Sequence, residues 1–427
     1  MFYVRFVNAY AKIKHMKKSI PQVLKGFRDY LPQEQIARRK IIAKISEVYE
    51  RFGFAPIDTP SLEPYELFKG QIGEDEKLMY KFEDLGGRQV ALRYDLTVPL
   101  ARLIANNPDL PKPFKRYVIG NSWRAENTQK GRYREFVQCD IDIVGSDSVI
   151  ADIEIVAAMA QAYRALEIGD VTVKFNNRKL VDSTLTDLKI AKTKIVSFMR
   201  WLDKLDKIGQ KKVTEGLVAD GFDEGIMQSY SELMKEKSAD YIEQVEELMA
   251  SFGVTNFAFD PYLMRGLDYY TGIVFEFVLK SKPEFGSIGG GGRYDGLIGK
   301  ISGIETPAVG GSIGLDRMFA ALLDAGLVAP QAAAEVLVMN VDEDTVAGCL
   351  NIATNLREAG INCEFYFETA KMDKQFKYAE KKNIKVAVIY GGNEAQKKQV
   401  NVKDLVDKKQ ETIDLEDLAT HIKSILW

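Results

Sequence analysis

A chain of 427 residues has room for two or three domains and a sizeable core. Hydrophobic residues make up 46% and charged residues 28%, an ordinary globular balance, and no apolar run approaches membrane-spanning length. The formal net charge of −3 argues against a chain basic throughout for nucleic acid, although a local basic patch can bind RNA on an acidic protein. Cys139, Cys349 and Cys363 are too few and too scattered for a disulfide framework or a zinc site, which suggests a reducing compartment. The two histidines, His15 and His421, lie near opposite ends, which counts against His-based triads and HExxH metal chemistry. The candidate functional segments are rich in Arg, Tyr, Gln, Asp and Glu instead. Those side chains suit the stabilisation of phosphate charge and the orientation of a polar substrate.

In chain order, residues 1–15 are basic and aromatic with no acid, and they lack the apolar stretch of a secretory signal. Residues 1–20 read as an N-terminal extension, either a targeting segment or the result of a start assigned upstream of Met16. From Pro32 to Phe52 a stripe of Ile36, Ile41, Ile42, Ile45 and Val48 predicts a helix. An extended segment broken by Pro56, Pro60 and Pro64 follows. Leu92–Thr97 then alternates as a strand, with Arg93, Asp95 and Thr97 on one side. A carboxylate and a hydroxyl so placed can hold an ammonium group, although an ordinary surface strand would read the same way.

The stretch Arg116–Gly145 carries the most information. In its second half a period of two puts Arg134, Phe136, Gln138, Asp140 and Asp142 on one face and the mostly apolar Glu135, Val137, Cys139, Ile141 and Ile143 on the other. A ring, an amide and two carboxylates on one face of a strand suggest the floor of a polar site. The polar loop Ala125–Gly131 joins it to an earlier strand as a long hairpin. Residues from about 178 to 253 read as charged helices. Arg265–Tyr270 (RGLDYY) leads into a strand with Ile273, Phe275 and Phe277 on one side. Gly289–Gly292 permits close backbone approach to a ligand or a flexible turn, and no Lys-Ser/Thr pair follows to make a phosphate-binding P-loop. Pro307–Gly326 reads as a short strand and a helix. Near the start of that helix, Arg317 can grip a nucleotide by cation–π contact and charge. After a linker near Ala325, strands and helices alternate as in a doubly wound α/β domain. Acids outnumber bases there, and Lys374, Lys377 and Lys381 share a helical face that is either solvated or in contact with RNA.

Trp123-Arg124-Ala125-Glu126, a loop and an Arg134-Glu135-Phe136 strand resemble motif 2 of class II aminoacyl-tRNA synthetases. The early helix with Pro60 resembles motif 1, and Gly314-Leu315-Asp316-Arg317 resembles motif 3. The strings QKGRYREF…QCD, RGLDYY and GGGGRYDGL are similar to those of the histidyl-tRNA synthetase family, from about Lys25 to the C-terminus. The resemblance implies an α+β catalytic domain on an antiparallel sheet (21–330), with a helical insertion at about 178–253. It implies a C-terminal α/β doubly wound anticodon-binding domain (331–427), in a cytoplasmic homodimer that does not engage membranes. It also implies the reaction: histidine and ATP, with Mg²⁺, form histidyl-adenylate and pyrophosphate, and the histidyl group moves to tRNA(His).

Residue roles follow from the same resemblance. Arg124 and Arg265 stabilise α-phosphate charge from opposite sides. Phe136 stacks under adenine, with Glu126 nearby and Arg317 above. Asp95, Thr97 and Gln138 bind the amino group. Asp142 and Tyr270 contact opposite imidazole nitrogens, and Tyr269 lines the same pocket. Gln129, Lys130 and Arg132 reach the tRNA acceptor end. The chain departs from the family in having Asp95 and Asp142 where Glu is usual, and Asn127-Thr128 where Arg-Pro is common. The alternative is a non-catalytic paralog acting as the regulatory subunit of ATP phosphoribosyltransferase, which is expected to lack the C-terminal domain and to have eroded signatures.

Overall fold

The structure is a computed structural model and describes residues 21–71, 73–264, 269–328 and 332–426. The N-terminal extension and Arg265 lie outside the described residues. Up to residue 314 the strands are β1 (Ala55–Pro56), β2 (Leu62–Pro64), β3 (Lys81–Glu83), β4 (Gln89–Leu92), β5 (Phe114–Trp123), β6 (Glu135–Val144), β7 (Val171–Asn177), β8 (Phe257–Phe259), β9 (Ile273–Leu279), β10 (Ser287–Arg293) and β11 (Ala308–Gly314). Among the described residues, eight of them form one sheet in the order β1-β5-β6-β11-β10-β9-β7-β8. Its inner pairings are all antiparallel, and parallel pairs close both edges. β2, β4 and β3 form a small separate sheet.

The alternation along β6 sorts as its sequence suggests. Cys139, Ile141 and Ile143 enter the core beneath the helix Val149–Ala165, together with Ile41, Ile45, Val48 and Tyr49 of the helix Pro32–Arg51. Ser148 caps the Val149–Ala165 helix, its hydroxyl accepting the Ile150 N–H at 3.2 Å. Both flanks of that helix are apolar, as burial between a sheet and other helices demands. Each such aliphatic side chain stabilises the fold by about 1.5–3 kcal/mol. The opposite face of β6 is therefore the one available to a ligand.

Of three sequence expectations, one needs revision. Leu92–Thr97 is not a strand: β4 stops at Leu92, and Thr97 opens the helix Thr97–Asn106. Asp95 Oδ1 accepts the Thr97 and Val98 N–H groups at 3.1 and 3.0 Å, satisfying donors at that helix start. Of the two readings left open for the four glycines, close backbone approach holds: they are the middle of β10, and Gly289 and Gly290 line a cavity. A Cβ on Gly291 would lie 2.0 Å from the Gly310 carbonyl oxygen, so the close approach of β10 and β11 requires glycine there. Third, the proline-broken segment yields only the short β1 and β2.

Residues 178–251 form the helices Arg178–Asp187, Lys192–Leu202, Leu205–Ile208, Gln210–Ala219 and Ile226–Ser251, which close around their own core of Phe198, Leu217, Tyr230 and Met234. At the C-terminal end, β12 (Val336–Val338), β13 (Cys363–Phe365) and β14 (Val386–Ile389) run parallel in the order β13-β12-β14, with helices between them. The sequence reading missed an antiparallel hairpin, β15 (Gln399–Asp404) and β16 (Gln410–Asp414), that extends this sheet. Its signal is the alternation of buried Val400 and Val402 with polar neighbours. Among the described residues no helix is long and apolar enough to cross a membrane.

Candidate active site

A cavity of about 390 Å³ opens on the ligand face of the large sheet. β6 supplies Phe136, Gln138, Asp140 and Asp142 to its floor, in the order the alternation predicts. Asp95 and Thr97 enter from the helix start, Tyr269 and Tyr270 from the segment before β9, and Arg317 from the head of the helix Leu315–Asp324. Arg124, Glu126 and Arg132 reach it from the hairpin loop. Gln129 and Lys130 are outside the lining. They sit at the loop tip, where Gln129 and Arg132 pair through their backbones around Gly131. Gly131 has φ +71°, and a Cβ there would come within 3.1 Å of the Arg317 backbone, so the turn needs glycine.

The inner end of the cavity presents unsatisfied acceptors. Gln138 Nε2 donates to Ser312 Oγ at 3.0 Å, leaving Oε1 buried with no partner among the described residues. Asp95 Oδ1 serves the backbone, while its Oδ2 is buried without a partner. Asp142 Oδ1 accepts from the Tyr294 hydroxyl. Its Oδ2 lies 2.6 Å from Arg116 Nη2 as an ion pair but accepts no aligned hydrogen bond from the described residues. Burying polar groups unsatisfied is costly, so such groups concentrate where a ligand completes them. The acid-rich floor is also starved of water. Desolvation raises Asp142 and Asp95 above the usual carboxylate range, opposed respectively by the Arg116 charge and the Val98 N–H bond. It pushes Asp140 up to about 7, against the pull of Arg116 and with the repulsion of Asp142.

The outer end carries cations and a ring. The Arg124 guanidinium lies 4.2 Å from the Tyr94 ring centroid and 5.1 Å from that of Phe136, and its Nε donates to the Tyr94 carbonyl at 3.1 Å. Arg317 Nη1 donates to the Ser287 carbonyl at 3.0 Å. Glu126 pairs with Arg132, and Lys130 pairs with Asp324, which also binds Lys282 at 2.7 Å. Asp316 accepts from Tyr30, from Arg38 and, at 2.7 Å, from the Val137 N–H between Phe136 and Gln138.

Sequence reasoning missed Arg116, and it noticed Asp140 and Tyr294 without giving them work. The signal for Arg116 lies in the hairpin register: Trp123 opposes Glu135, and counting back along both strands brings Arg116 opposite Asp142.

An antiparallel sheet with one arginine closing a long hairpin and another at the head of the following motif helix is the catalytic architecture of a class II aminoacyl-tRNA synthetase. A family model described as histidyl-tRNA synthetase matches residues 26–318, and one described as an anticodon binding domain matches residues 335–425. The chain is 41% identical to a histidine–tRNA ligase of Rhodopirellula baltica over 92% of its own length and 95% of the relative's. It is 39% identical to that of Wolinella succinogenes over 90% and 94%. Its fold matches the crystal structure of histidyl-tRNA synthetase from Nostoc sp. PCC 7120 with a TM-score of 0.85 and 32% identity, covering 95% of this chain and all of that one. The chain belongs to the histidyl-tRNA synthetase family.

Proposed function

We infer that the chain attaches histidine to tRNA(His) through a histidyl-adenylate. The observation that carries this reading is a set of buried acceptors in one cavity: Asp95 Oδ2 and Gln138 Oε1, without partners among the described residues, and the Asp142 carboxylate, held from behind by Arg116 and Tyr294. Free histidine offers complementary donors: an ammonium group at one end and an imidazole N–H at the other. Asp95 and Gln138, with Thr97, take the ammonium; Asp142 and Tyr270 take the ring, and Tyr269 packs behind it. This leaves the substrate carboxylate directed at the cationic end, where ATP binds. Adenine stacks on Phe136 with Glu126 at its edge and Arg317 over it. Arg124 on one side, and Arg265 on the other, stabilise charge as the carboxylate attacks the α-phosphorus and pyrophosphate leaves.

Mg²⁺ bound with the ATP phosphates would neutralise part of their charge.

The division into a catalytic body, a helical insertion and a C-terminal anticodon-binding domain beginning near residue 331 belongs to the same reading. So does a homodimer built on the motif 1 elements: β2 is an edge strand and exposes Leu62. The free thiols of Cys139, Cys349 and Cys363 suit the cytoplasm. In the loop, Gln129 reads a base edge while Lys130 and Arg132 hold phosphate once their ion pairs open. Gln129→Ala should then impair charging of tRNA(His) much more than histidine activation; equal damage to both would assign Gln129 to the ATP site or the fold. The regulatory-subunit alternative is the weaker one, because a full C-terminal sheet and an occupied set of signature positions are both present. The deciding experiment is ATP–pyrophosphate exchange with each amino acid in turn. Histidine alone should support exchange; exchange with another amino acid, or with none, would overturn the reading.

A further inference from the structure

We propose that Arg116 is a positioning residue for histidine recognition: from beneath the cavity it fixes Asp142 and keeps it anionic, so that Asp142 can accept an imidazole N–H. This rests on the pocket reading above and adds to it a residue that does not touch the substrate. Arg116 is 0% exposed and is absent from the cavity lining, whereas Asp142 lies at its floor. The two are direct cross-strand partners in the β5–β6 hairpin, and Arg116 Nη2 stands 2.6 Å from Asp142 Oδ2 while also donating to the Leu96 carbonyl at 3.2 Å. Arg116 Nε and Nη1 have no partner among the described residues. A buried arginine serving only as a staple would be hydrogen-bonded on all sides. Here the charge is what its surroundings use.

Those surroundings are acidic. Asp140 flanks Asp142 on β6, and Asp95 enters from the start of the helix Thr97–Asn106. Tyr294 donates its hydroxyl to Asp142 Oδ1, Tyr270 lies beside Tyr294, and Tyr269 packs on both. β11 lines the cavity with Gly310, Gly311, Ser312 and Gly314, none of them charged, and Arg124 acts on Asp95 from the outer end. Arg116 acts on both Asp140 and Asp142 and reaches Asp95 as well, while the buried Arg93 faces Asp140 alone among these three acids. Without Arg116, burial and mutual repulsion would drive protons onto the acids. A protonated Asp142 offers a donor where the ring needs a charged acceptor. Gly310 completes the mounting: a Cβ there would sit 1.9 Å from Asp142 Oδ1.

The test uses the whole chain and separates substrates. Arg116→Met keeps the bulk and removes the charge. In pyrophosphate exchange at neutral pH its KM for histidine should rise by roughly tenfold or more, while its KM for ATP changes less than about twofold. The sign of the pH effect follows from the cause. Loss of the cation raises the Asp142 pKa, so the histidine penalty should be greatest at low pH and shrink toward about pH 9 as base ionises the acid. Arg116→Lys retains the charge and should follow the wild-type pH profile with a smaller rise in histidine KM. Equal rises for both substrates, a penalty independent of pH, or a Lys variant as pH-sensitive as the Met variant would overturn the proposal. If Arg116→Met does not fold, Arg116→Lys combined with Asp142→Asn decides. A neutral residue 142 needs no cation, so the Lys substitution should add nothing to the histidine penalty of Asp142→Asn, and additive penalties would refute the coupling. Wild-type exchange tests the parent reading separately: if it fails with histidine, that reading falls; if it succeeds, the variants judge Arg116 alone.

Discussion

The two sheets of this protein treat buried polarity in opposite ways. In the C-terminal sheet each buried polar side chain is closed by its neighbours. Gln375 Oε1 accepts the Asn340 N–H at 2.9 Å, while its Nε2 donates to the Asn340 and Ala370 carbonyls at 2.6 and 2.7 Å. Thr345 Oγ1 donates to Asp342 at 3.1 Å. In and beside the large sheet, by contrast, Arg116, Asp95 and Gln138 keep buried atoms without hydrogen-bond partners among the described residues, and Asp142 Oδ2 has only the ion pair with Arg116. A polar group that is fully paired holds a structure; one left unpaired beside a cavity is prepared for something else. The comparison separates residues that maintain the fold from residues held ready, at a cost in stability, for a ligand.

Substitutions on the two sides should therefore fail differently. The largest effect is expected at Arg124: Arg124→Ala should lower histidine-dependent pyrophosphate exchange by roughly 10²–10³-fold, with little change in melting temperature, as for the loss of one electrostatic donor. Near-wild-type exchange would remove Arg124 from the chemistry. Gly310→Ala should raise the KM for histidine by roughly ten- to hundredfold and spare that for ATP, because the new Cβ must displace the Asp142 carboxylate. Equal effects on both KM values would make Gly310 a packing residue only. On the other sheet, Gln375→Ala strands the Asn340 N–H and carbonyl and should cost the C-terminal domain about 1–3 kcal/mol in denaturant unfolding, with exchange unchanged. Loss of exchange there would blur the distinction.

The smallest effect concerns pH. Asp140 is pushed up to about 7 by burial, so its contribution to stability is fully present below the unfolded carboxylate range and is lost as pH rises through 7. Asp140→Asn should therefore melt higher than wild type at about pH 8, with the advantage fading toward about pH 4. An advantage that does not vary with pH would mean that Asp140 titrates normally.

Most of this site was legible before any coordinates, because β6 alternates cleanly and the period of two sorts Phe136, Gln138, Asp140 and Asp142 to one side. What escaped notice needed information beyond one strand. Arg116 acquires meaning only through hairpin register, and register is set by the length of the loop between β5 and β6. Asp95 and Thr97 line the cavity, but from the start of a helix and not from a strand. A short alternation in a strand and the acidic start of a helix look alike over three residues, and Pro99 in the first turn was the signal for the helix. Four consecutive glycines leave a turn and a close approach open from composition; here they let three strands approach closely, which is a tertiary demand. The β15–β16 hairpin was hidden by its charge: β16 is exposed along most of its length.

Asp316 also bears on how the chain comes off the ribosome. It binds Tyr30, 286 positions earlier, together with Arg38 and the backbone at Val137. β6 cannot gain its second neighbour until β11, just ahead of Asp316, has been made. While residues 145–307 are being made the β5–β6 hairpin is therefore half-paired, one edge open and its polar face unshielded. The helices of residues 178–251, built on local contacts, can form during that interval. A ribosome stalled before residue 308 would hold a folded helical appendage on an unfinished sheet, a species whose exposed strand edge invites chaperones or aggregation.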